Sequence, residues 1–508
     1  MVGMFRARCS RTAVGALLLA LTGCGTTVPL TQQQTVNGLQ QDGTSLGGST
    51  GTASGGSGST SGGQLPGTTT GSSSTTGAFA AGTSGSSTTG FTAGTGTSAG
   101  TTGGSTGSVA GSTVKPITVA VFYFNGGNQV ISAAFPGTSV SFGDGKREAT
   151  AVINDVNAHG GAGGRKMIPQ FIPVQAQDAN DAGLQKACQG AVQDYHPVAI
   201  FAIFNLAEGL STCARKAGVT LIDVALGAGD EKLYSDARDI AFSPSQISRD
   251  AEQKLVLTLA HATGRLPSGK PVGILVQGDD PLYERVAKNT IEPLLTSFGV
   301  PFIEQGLSTG ADTNGMNAAI IKFVGSHVDT VVFSLGNGGI PEVLFMQSAE
   351  QQQYRPAYLM GDSTDTNFVG GSAPANQIKR ISGAGTYPLA NVRSDQYPSS
   401  PGEQKCLALL NKAIGGYSNR YSSLTGTLYC EIINSFAYVA GHVSGTLTSA
   451  AWAAAYHQLG VGYRAVTTFA TDFLPGRQDG ASAYRNIGYG AACGCITYTS
   501  PIKAIPPL

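Results

Sequence analysis

The sequence predicts an α/β protein built from two consecutive doubly wound parallel-sheet units. Strand-length apolar runs alternate with segments of helical periodicity from about residue 116 to residue 360. Residues 240–244, which include a proline, interrupt the alternation, and a second series starts after them. Regular alternation of strands and helices is typical of parallel sheets that helices cover on both faces.

The first strand–helix–strand unit carries the clearest signals. Residues 117–124 read ITVAVFYF, an uncharged run rich in β-branched and aromatic side chains, as expected for a strand buried on both faces. Apolar side chains at helical spacing follow on one face, at Ala149, Val152, Ile153 and Val156. The glycines at 160–164 end that helix, because glycine tolerates the left-handed turn after a helix. Residues 167–174 form the next strand, which completes a unit of a parallel sheet.

The remaining elements continue this pattern. In the first unit we expect helices at about 184–195 and 208–217, with strands at 198–203 and 219–224. In the second unit we expect helices at 247–263, 282–298, 316–324 and 341–351, with strands at 272–277, 301–306, 330–335 and 357–360. The two units share an architecture without a close sequence repeat.

The length and the charge of the chain exclude several classes of protein. A chain of 508 residues is too long for one hydrophobic core, so more than one folded unit is expected. The net charge is zero and only 12% of residues are charged. The basic footprint of a nucleic-acid-binding protein is therefore missing, and we expect no nucleic-acid partner.

The N-terminal segment predicts export and a lipid anchor. Arg6, Arg8 and Arg11 precede an apolar run at 13–21, which is too short to span a bilayer comfortably. The run ends in Leu-Thr-Gly-Cys at 21–24, which resembles the bacterial lipobox. We therefore expect a lipoprotein signal peptide at 1–23, lipidation of Cys24 and attachment to the extracytoplasmic face of the cell membrane. An ordinary signal peptide and a transmembrane helix are the alternatives.

Residues 24–115 predict a disordered tether. They consist mainly of Gly, Ser and Thr, and no charged residue occurs between Asp42 and Lys115. Such a segment cannot bury enough apolar surface to offset the entropy lost on ordering. A coil of about 90 residues has an r.m.s. reach of roughly 50 Å. A glycosylated stalk is the alternative, and both interpretations make the segment a spacer.

The part of the chain after the tether resembles the type 1 periplasmic solute-binding proteins, the family of the leucine/isoleucine/valine-binding protein. The stretches that carry the resemblance are 151–157 with 160–165, 278–283, 354–361 and 473–484, within about 117–498. The resemblance implies two lobes joined by crossings near Ser243, Thr386 and Thr468, with a hinge and a ligand cleft between them. It assigns 116–243 and 387–468 to lobe one, and 244–386 and 469–508 to lobe two.

Candidate ligand-binding residues follow the strands, because ligands bind beyond the carboxyl ends of parallel strands and facing sheets close around them by hinge motion. They are Asn125, Asn205, Ala207, Ala225 and Gly227 in lobe one, and Tyr283, Asn337, Asp362 and Ser363 in lobe two. Phe142, just before the first helix, either lines the cleft or packs onto that helix. For each of these residues, capping a helix or bracing a turn is the alternative.

The resemblance also bears on the ligand. Amino-acid-binding relatives hold the ligand carboxylate with hydroxyls and backbone N–H groups at the second and third lobe-one sites. They hold the ammonium with an acidic residue at the last lobe-two site. Here residues 205–207 read Asn-Leu-Ala and lack the hydroxyls, whereas Asp362 remains available for an ammonium. We expect a small polar or amino-acid-like ligand.

The cysteines predict disulfide bonds. Besides Cys9 and Cys24 the chain contains Cys188, Cys213, Cys406, Cys430, Cys493 and Cys495. An even number in an exported chain suggests three bonds, for which about fifteen pairings exist. Pairing of sequence neighbours is one of them, since the first two and the next two lie on successive predicted helices. A metal site at 493–495 is disfavoured, because no second pair of ligands is nearby in the sequence.

No catalytic constellation is present in the sequence. The six histidines lack metal-ligand spacing, and neither a G-x-S-x-G elbow nor a phosphate loop occurs. We therefore expect no catalytic residues, no cofactor and no metal. The resemblance implies a monomeric solute-binding protein that delivers a small molecule to the permease and ATPase subunits of an ABC-type importer. A surface sensor or adhesion protein with the same fold is the alternative.

Overall fold

The fold is known from a computed structural model. It describes residues 114–129, 141–204, 206–224, 228–266, 268–336, 338–361, 366–386, 400–417 and 423–507. The predicted signal peptide, Cys24 and the predicted tether up to residue 113 lie outside the described residues.

The first sheet is entirely parallel, as predicted. Its strands, in the order β2-β1-β3-β4-β5, are β1 (Ile117–Asn125), β2 (Met167–Gln175), β3 (Ala199–Ala202), β4 (Thr220–Asp223) and β5 (Ala241–Phe242). The connecting helices are α1 (Gly145–Ala158), α2 (Asp181–Tyr195), α3 (Glu208–Ala217) and α4 (Glu231–Asp236). The chain reverses direction across the sheet after β2, so right-handed crossovers place α1 on one face and α2 and α3 on the other.

Helix α1 shows how the local sequence specifies its element. Asp144 caps its first turn, because the side chain accepts a hydrogen bond of 3.1 Å from the backbone N–H of Arg147. Ala149, Val152 and Ile153 are buried on the predicted face. The helix stops where Gly160 and Gly161 adopt positive φ angles of 107° and 73°.

The second sheet is larger than predicted. Its order is β14-β13-β10-β9-β8-β6-β7, and β15 pairs with β13. Its strands are β6 (Val272–Gln277), β7 (Phe302–Leu307), β8 (Thr330–Ser334), β9 (Ala357–Met360), β10 (Ile381–Gly385), β13 (Ala483–Gly490), β14 (Cys495–Tyr498) and β15 (Lys503–Ala504). The strands β6 to β10 are parallel to one another, whereas β13 and β14 extend the sheet from β10 in antiparallel fashion. We did not predict this C-terminal extension.

The helices of the second unit follow the predicted order. They are α5 (Arg249–Ala262), α6 (Pro281–Val286), α7 (Glu292–Ser297), α8 (Thr313–Gly325), α9 (Ile340–Gln351), α10 (Thr366–Ser372) and α11 (Ala375–Ile378). The helix predicted at 282–298 is divided, because a π-helical segment at Ala287–Ile291 joins α6 to α7. Pro293 lacks the N–H that would continue the α-helical ladder, which accounts for the wider turn before it.

Three later helices return to the first sheet. They are α12 (Pro401–Ala413), α13 (Leu424–Ala440) and α14 (Ser449–Gln458). Tyr429 of α13 donates a hydrogen bond of 3.0 Å to the carbonyl of Phe122 in β1. Trp452 of α14 packs edge-on against Phe242 of β5, with ring centroids 4.9 Å apart. We call the first sheet and its helices lobe one, and the second sheet and its helices lobe two.

Hydrogen bonds connect the segments where we expect the crossings with neighbouring parts of the chain. The Thr468 hydroxyl donates a hydrogen bond of 2.6 Å to the carbonyl of Thr386. Ser243 accepts from the backbone N–H of Gly480 at 3.0 Å and donates its own N–H to Gln478 at 2.8 Å. Short β-bridges (β11, Gly460–Val461, with β12, Asp472–Phe473, and Ser243 with Asp479) brace the same region.

The disulfide bonds join sequence neighbours. Cys188 of α2 is bonded to Cys213 of α3, and Cys406 of α12 to Cys430 of α13. Cys493 is bonded to Cys495 in the turn between β13 and β14.

Candidate functional site

An aromatic cluster stands at the carboxyl edge of the lobe-one sheet. Phe124, near the end of β1, packs against Phe142 and Phe204, with ring centroids 5.5 and 6.0 Å away. Phe142 also packs on the buried apolar side chains of lobe two. Its carbonyl accepts hydrogen bonds from the hydroxyls of Ser423, at 3.2 Å, and Thr425. Phe142 therefore presents an aromatic surface where the two lobes meet.

Tyr283 occupies the corresponding edge of lobe two. It lies in α6, just beyond β6, and only 3% of the residue is exposed. Its carbonyl accepts a hydrogen bond of 2.7 Å from the Ser334 hydroxyl at the end of β8. A Cβ atom at Gly336 would lie 1.9 Å from the Tyr283 hydroxyl, so the ring requires glycine there. Burial raises the pKa of Tyr283 to about 12, so the phenol is neutral and able to donate a hydrogen bond.

Arg249 connects the two edges. Its guanidinium lies 4.9 Å from the centre of the Tyr283 ring, a cation–π arrangement. Nε donates to the carbonyl of Ala228 in lobe one at 2.9 Å, and Nη1 donates to the carbonyl of Leu335 in lobe two at 3.0 Å. The residue is 3% exposed, and within the described ranges no acceptor pairs with Nη2. A buried cation with a spare donor thus lies between the loops that follow β4 and β8.

Asp223 supplies a second buried polar group. It ends β4 and is fully buried, and neither carboxyl oxygen has a hydrogen-bond partner among the described residues. Burial raises the pKa of Asp223 well above its usual range, and the positive charge of Arg249 opposes that shift. Buried polar groups in native proteins are nearly always paired, so this carboxyl is a candidate for contact with a ligand or water.

The two lobes also touch through charged side chains at the rim of this region. Arg285 of α6 pairs with Glu208 at the start of α3 and with Asp230 at the start of α4, both at 2.6 Å. We call these three residues the interlobe clasp. Lys254 of α5 lies 2.8 Å from Glu231 of α4 and adds a further contact between the lobes.

The described candidate residues lie at the edges where the sequence placed them. Asn125 ends β1, Ala207 is the N-cap residue of α3, and Phe142 precedes α1, all at the carboxyl edge of lobe one, whereas Tyr283 faces from lobe two. The other candidates lie outside the described residues: Asn205, Ala225, Gly227, Asn337, Asp362 and Ser363.

Sequence reasoning missed Arg249, Asp223 and the interlobe clasp. Asp223 directly follows an apolar run at the end of β4. Ligands bind beyond the carboxyl ends of parallel strands, so the argument that made Tyr283 a candidate also applies to Asp223. Arg249 is instead the first residue of a helix that follows a crossing, so it does not lie at the end of a strand. Glu252, one turn further along α5, lies against Gly361, where a Cβ would be 1.8 Å from its carboxyl oxygen.

Comparison with known proteins places this architecture. No protein-family model matches the sequence, and no curated protein does. Among solved structures, a substrate-binding periplasmic protein from Ralstonia solanacearum is 14% identical, with a TM-score of 0.57 over 75% of this chain and 99% of that one. The chain has the type 1 periplasmic binding fold. Two lobes, a hinge and a cleft between facing sheets are features of that fold, which confirms the predicted fold class.

Other structures with the type 1 periplasmic binding fold were solved with ligands. The branched-chain amino acid transporter substrate-binding protein LivJ from Streptococcus pneumoniae, in complex with isoleucine, is 16% identical over 77% of this chain and all of that one, with a TM-score of 0.54. A solute-binding protein of an ABC transporter from Rhodopseudomonas palustris, in complex with p-hydroxybenzoic acid, is 12% identical over 77% of this chain and 98% of that one, with a TM-score of 0.57.

Neither a membrane span nor a metal site is found among the described residues. No helix in the described part of the chain combines the length and apolar character needed to cross a bilayer. Within the same ranges, no group of three or more His, Cys, Asp or Glu side chains is arranged to hold a metal ion.

Proposed function

We propose that this chain is an extracytoplasmic solute-binding protein, anchored through a lipid on Cys24, that serves an ABC-type importer. It binds a small polar or amino-acid-like molecule between its lobes, as a monomer and without a cofactor. The closed form then engages permease and ATPase subunits. The single observation that carries the proposal is the placement of Arg249 between the carboxyl edges of two type 1 lobes, with a donor to spare.

The cleft suits a ligand with one polar end and one apolar end. Nη2 of Arg249 offers a charged N–H to a carboxylate or another acceptor, and the Tyr283 ring supports it. Asp223 offers acceptor oxygens to an ammonium or hydroxyl group. The rings of Phe124 and Phe142 provide an apolar surface for the rest of the molecule. Branched-chain amino acids and hydroxybenzoates both combine a polar part with an apolar part.

The boundaries of the two lobes and the set of ligand-binding residues are part of the same proposal. Lobe one comprises 116–243 and 387–468, and lobe two comprises 244–386 and 469–508. The packing of α13 and α14 on the first sheet and the hydrogen bonds among the crossings support these boundaries. The ligand-binding set is that predicted at the strand ends, including Asp362, together with Arg249 and Asp223.

A thermal-shift screen tests the proposal. The purified protein is heated with amino acids, amides, short peptides and aromatic acids. A ligand that binds only the folded state raises the melting temperature with concentration. We expect one of these classes to produce such a shift, and calorimetry to give a single site per chain. A screen in which none of them binds would contradict the proposed function.

Two variants test the site itself. Tyr283→Phe keeps the buried ring but removes the hydroxyl, and Asp362→Asn removes the charge. Loss of one ligand hydrogen bond costs about 1–3 kcal/mol, so we expect each variant to bind about tenfold more weakly or worse. Tyr195→Phe, at an exposed tyrosine on α2, is the matched control. If both site variants bind like the parent, the site assignment is wrong.

A surface sensor or adhesion protein is the second candidate, favoured by the length of the Gly/Ser/Thr-rich segment at 24–115. An uptake assay separates the two functions. If the protein serves an importer, cells that lack it fail to take up the ligand found in the screen, and the full chain restores uptake. Uptake that does not depend on the protein, despite binding in vitro, favours the sensor.

A further inference from the structure

The disulfide at Cys493–Cys495 differs from the other two in its exposure. Cys188, Cys213, Cys406 and Cys430 are all buried within helix pairs. Cys493 and Cys495 are half-buried in a β-hairpin turn, and the neighbouring residues at 491, 492 and 494 are exposed. The turn that carries this bond is therefore more accessible to an external thiol than the two helix pairs are.

The disulfide at Cys493–Cys495 also closes a much smaller ring. Its cysteines are separated by 2 positions, compared with 25 and 24 for the other bonds. Because a disulfide stabilises mainly by restricting the unfolded chain, a small ring contributes less to stability than a large one. Exposed disulfides also have more oxidising reduction potentials than buried structural ones, so a reductant opens this bond before the other two.

The hairpin that carries this bond is held by other interactions. Strands β13 and β14 pair from Ile487 with Tyr498 to Gly490 with Cys495. Within the turn, the backbone N–H of Gly494 donates to the carbonyl of Gly490 at 2.9 Å, and Gly494 takes a positive φ of 62°. These backbone contacts hold the turn in addition to the disulfide.

We propose that Cys493–Cys495 is a thiol–disulfide exchange site whose substrates are dithiols. A thiolate of the dithiol attacks one sulfur, the Cys493–Cys495 bond breaks, and the other cysteine leaves as a thiolate that takes up a proton. The second thiol of the dithiol, once deprotonated, attacks the mixed disulfide and releases the first cysteine. Two electrons pass from the dithiol to the protein, and the dithiol becomes a disulfide. This activity does not depend on ligand binding in the cleft.

A redox titration of the full chain tests the proposal. The protein is equilibrated with mixtures of reduced and oxidised dithiothreitol, free thiols are alkylated, and the cysteine-containing peptides are quantified by mass spectrometry. We expect the peptide with Cys493 and Cys495 to be alkylated at a reduced-to-oxidised ratio about tenfold lower, or lower still, than the other two pairs require. The melting temperature should stay near the parent value while only this pair is reduced. Opening of Cys493–Cys495 together with or after the other bonds overturns the proposal.

A second arm identifies the source of the dithiol. A thioredoxin-like protein whose second active-site cysteine is replaced by serine accumulates a mixed disulfide with any disulfide that it attacks. Trapping at Cys493 or Cys495 identifies protein dithiols as substrates, whereas reduction by dithiothreitol without trapping restricts the site to small dithiols. The double variant Cys493→Ser with Cys495→Ser is the control and should yield neither product. If the parent reacts in neither arm, the site does not exchange.

Discussion

A carboxylate without a partner is costly inside a protein, and Asp223 is such a group. Its side chain is fully buried at the end of β4, and no hydrogen-bond donor among the described residues reaches it. Burial raises the pKa of Asp223, so the folded protein favours the protonated form. The stability associated with that proton is fully present below the pKa of the unfolded chain. It is lost as the pH rises through the folded pKa.

Asp223→Asn should therefore stabilise the ligand-free protein at neutral pH. The amide removes the cost of ionising a buried carboxyl, and we expect the variant to melt a few degrees above the parent at pH 7. The difference should shrink towards pH 4, where the parent carboxyl is protonated. Thermal denaturation at the two pH values measures both effects.

Asp312→Asn provides a control of opposite sign. Although burial works in the other direction, hydrogen bonds from the backbone of Gly315 and Ser308 lower the pKa of Asp312, which caps α8. Its stabilisation is present above the unfolded pKa and is lost as the pH falls. This variant should melt below the parent at neutral pH. If Asp223→Asn also melts lower, the Asp223 carboxylate has a favourable partner.

At the level of single elements, the sequence predicted those with strong apolar patterning. The helix predicted at 208–217 has those bounds in the structure, and the strand predicted at 272–277 matches β6. Strand β13 was missed because its sequence, AYRNIGYG, alternates apolar residues with polar ones and glycine instead of forming an apolar run. It pairs antiparallel with β10, so it does not share the signature of the parallel strands.

The candidate site could be predicted only in part, because local sequence patterns do not show contacts between distant parts of the chain. A residue after an apolar strand can be located from the sequence, which is how Asn125 and Tyr283 were selected. The role of Arg249 depends on contacts with Ala228 and Leu335, which are 21 and 86 positions away in the chain. No local pattern encodes such a meeting, because it arises only when the two lobes pack together.

The disulfide between α2 and α3 allows a prediction of how much a bond between two helices contributes to stability. The bond between Cys188 and Cys213 closes a loop of 25 positions, worth about 3–4 kcal/mol in the chain-entropy model. Replacing both cysteines by alanine should lower the free energy of unfolding by that amount, measured by denaturant titration. Replacing Cys493 and Cys495 by alanine is the matched control and should cost less than half as much. Equal losses would show that ring size does not determine the contribution of these bonds.

For the whole molecule, the main issue is what keeps the lobes together. Arg249 hydrogen-bonds to a carbonyl of each lobe, and Arg285 joins α6 of lobe two to the starts of α3 and α4 in lobe one. Asp230 is almost fully buried, whereas Glu208 is partly exposed. Salt therefore weakens the pair between Arg285 and Glu208 more than the pair between Arg285 and Asp230. These bonds stabilise the observed arrangement of the lobes independently of any ligand, so they raise the population of that arrangement.

Arg285→Ala should therefore shift the free protein towards an open arrangement. Removing the guanidinium leaves Asp230 without its charge partner and Glu208 without its pair, which penalises the arrangement in which the lobes touch and leaves each lobe core intact. Small-angle scattering without ligand should show a larger radius of gyration than the parent. Ligand affinity should fall, because part of the binding free energy must then bring the lobes together. Lys232→Ala, which breaks the exposed pair with Asp236 inside α4, is the matched control and should change neither quantity. An unchanged radius and affinity in Arg285→Ala would mean that the clasp does not hold the lobes closed.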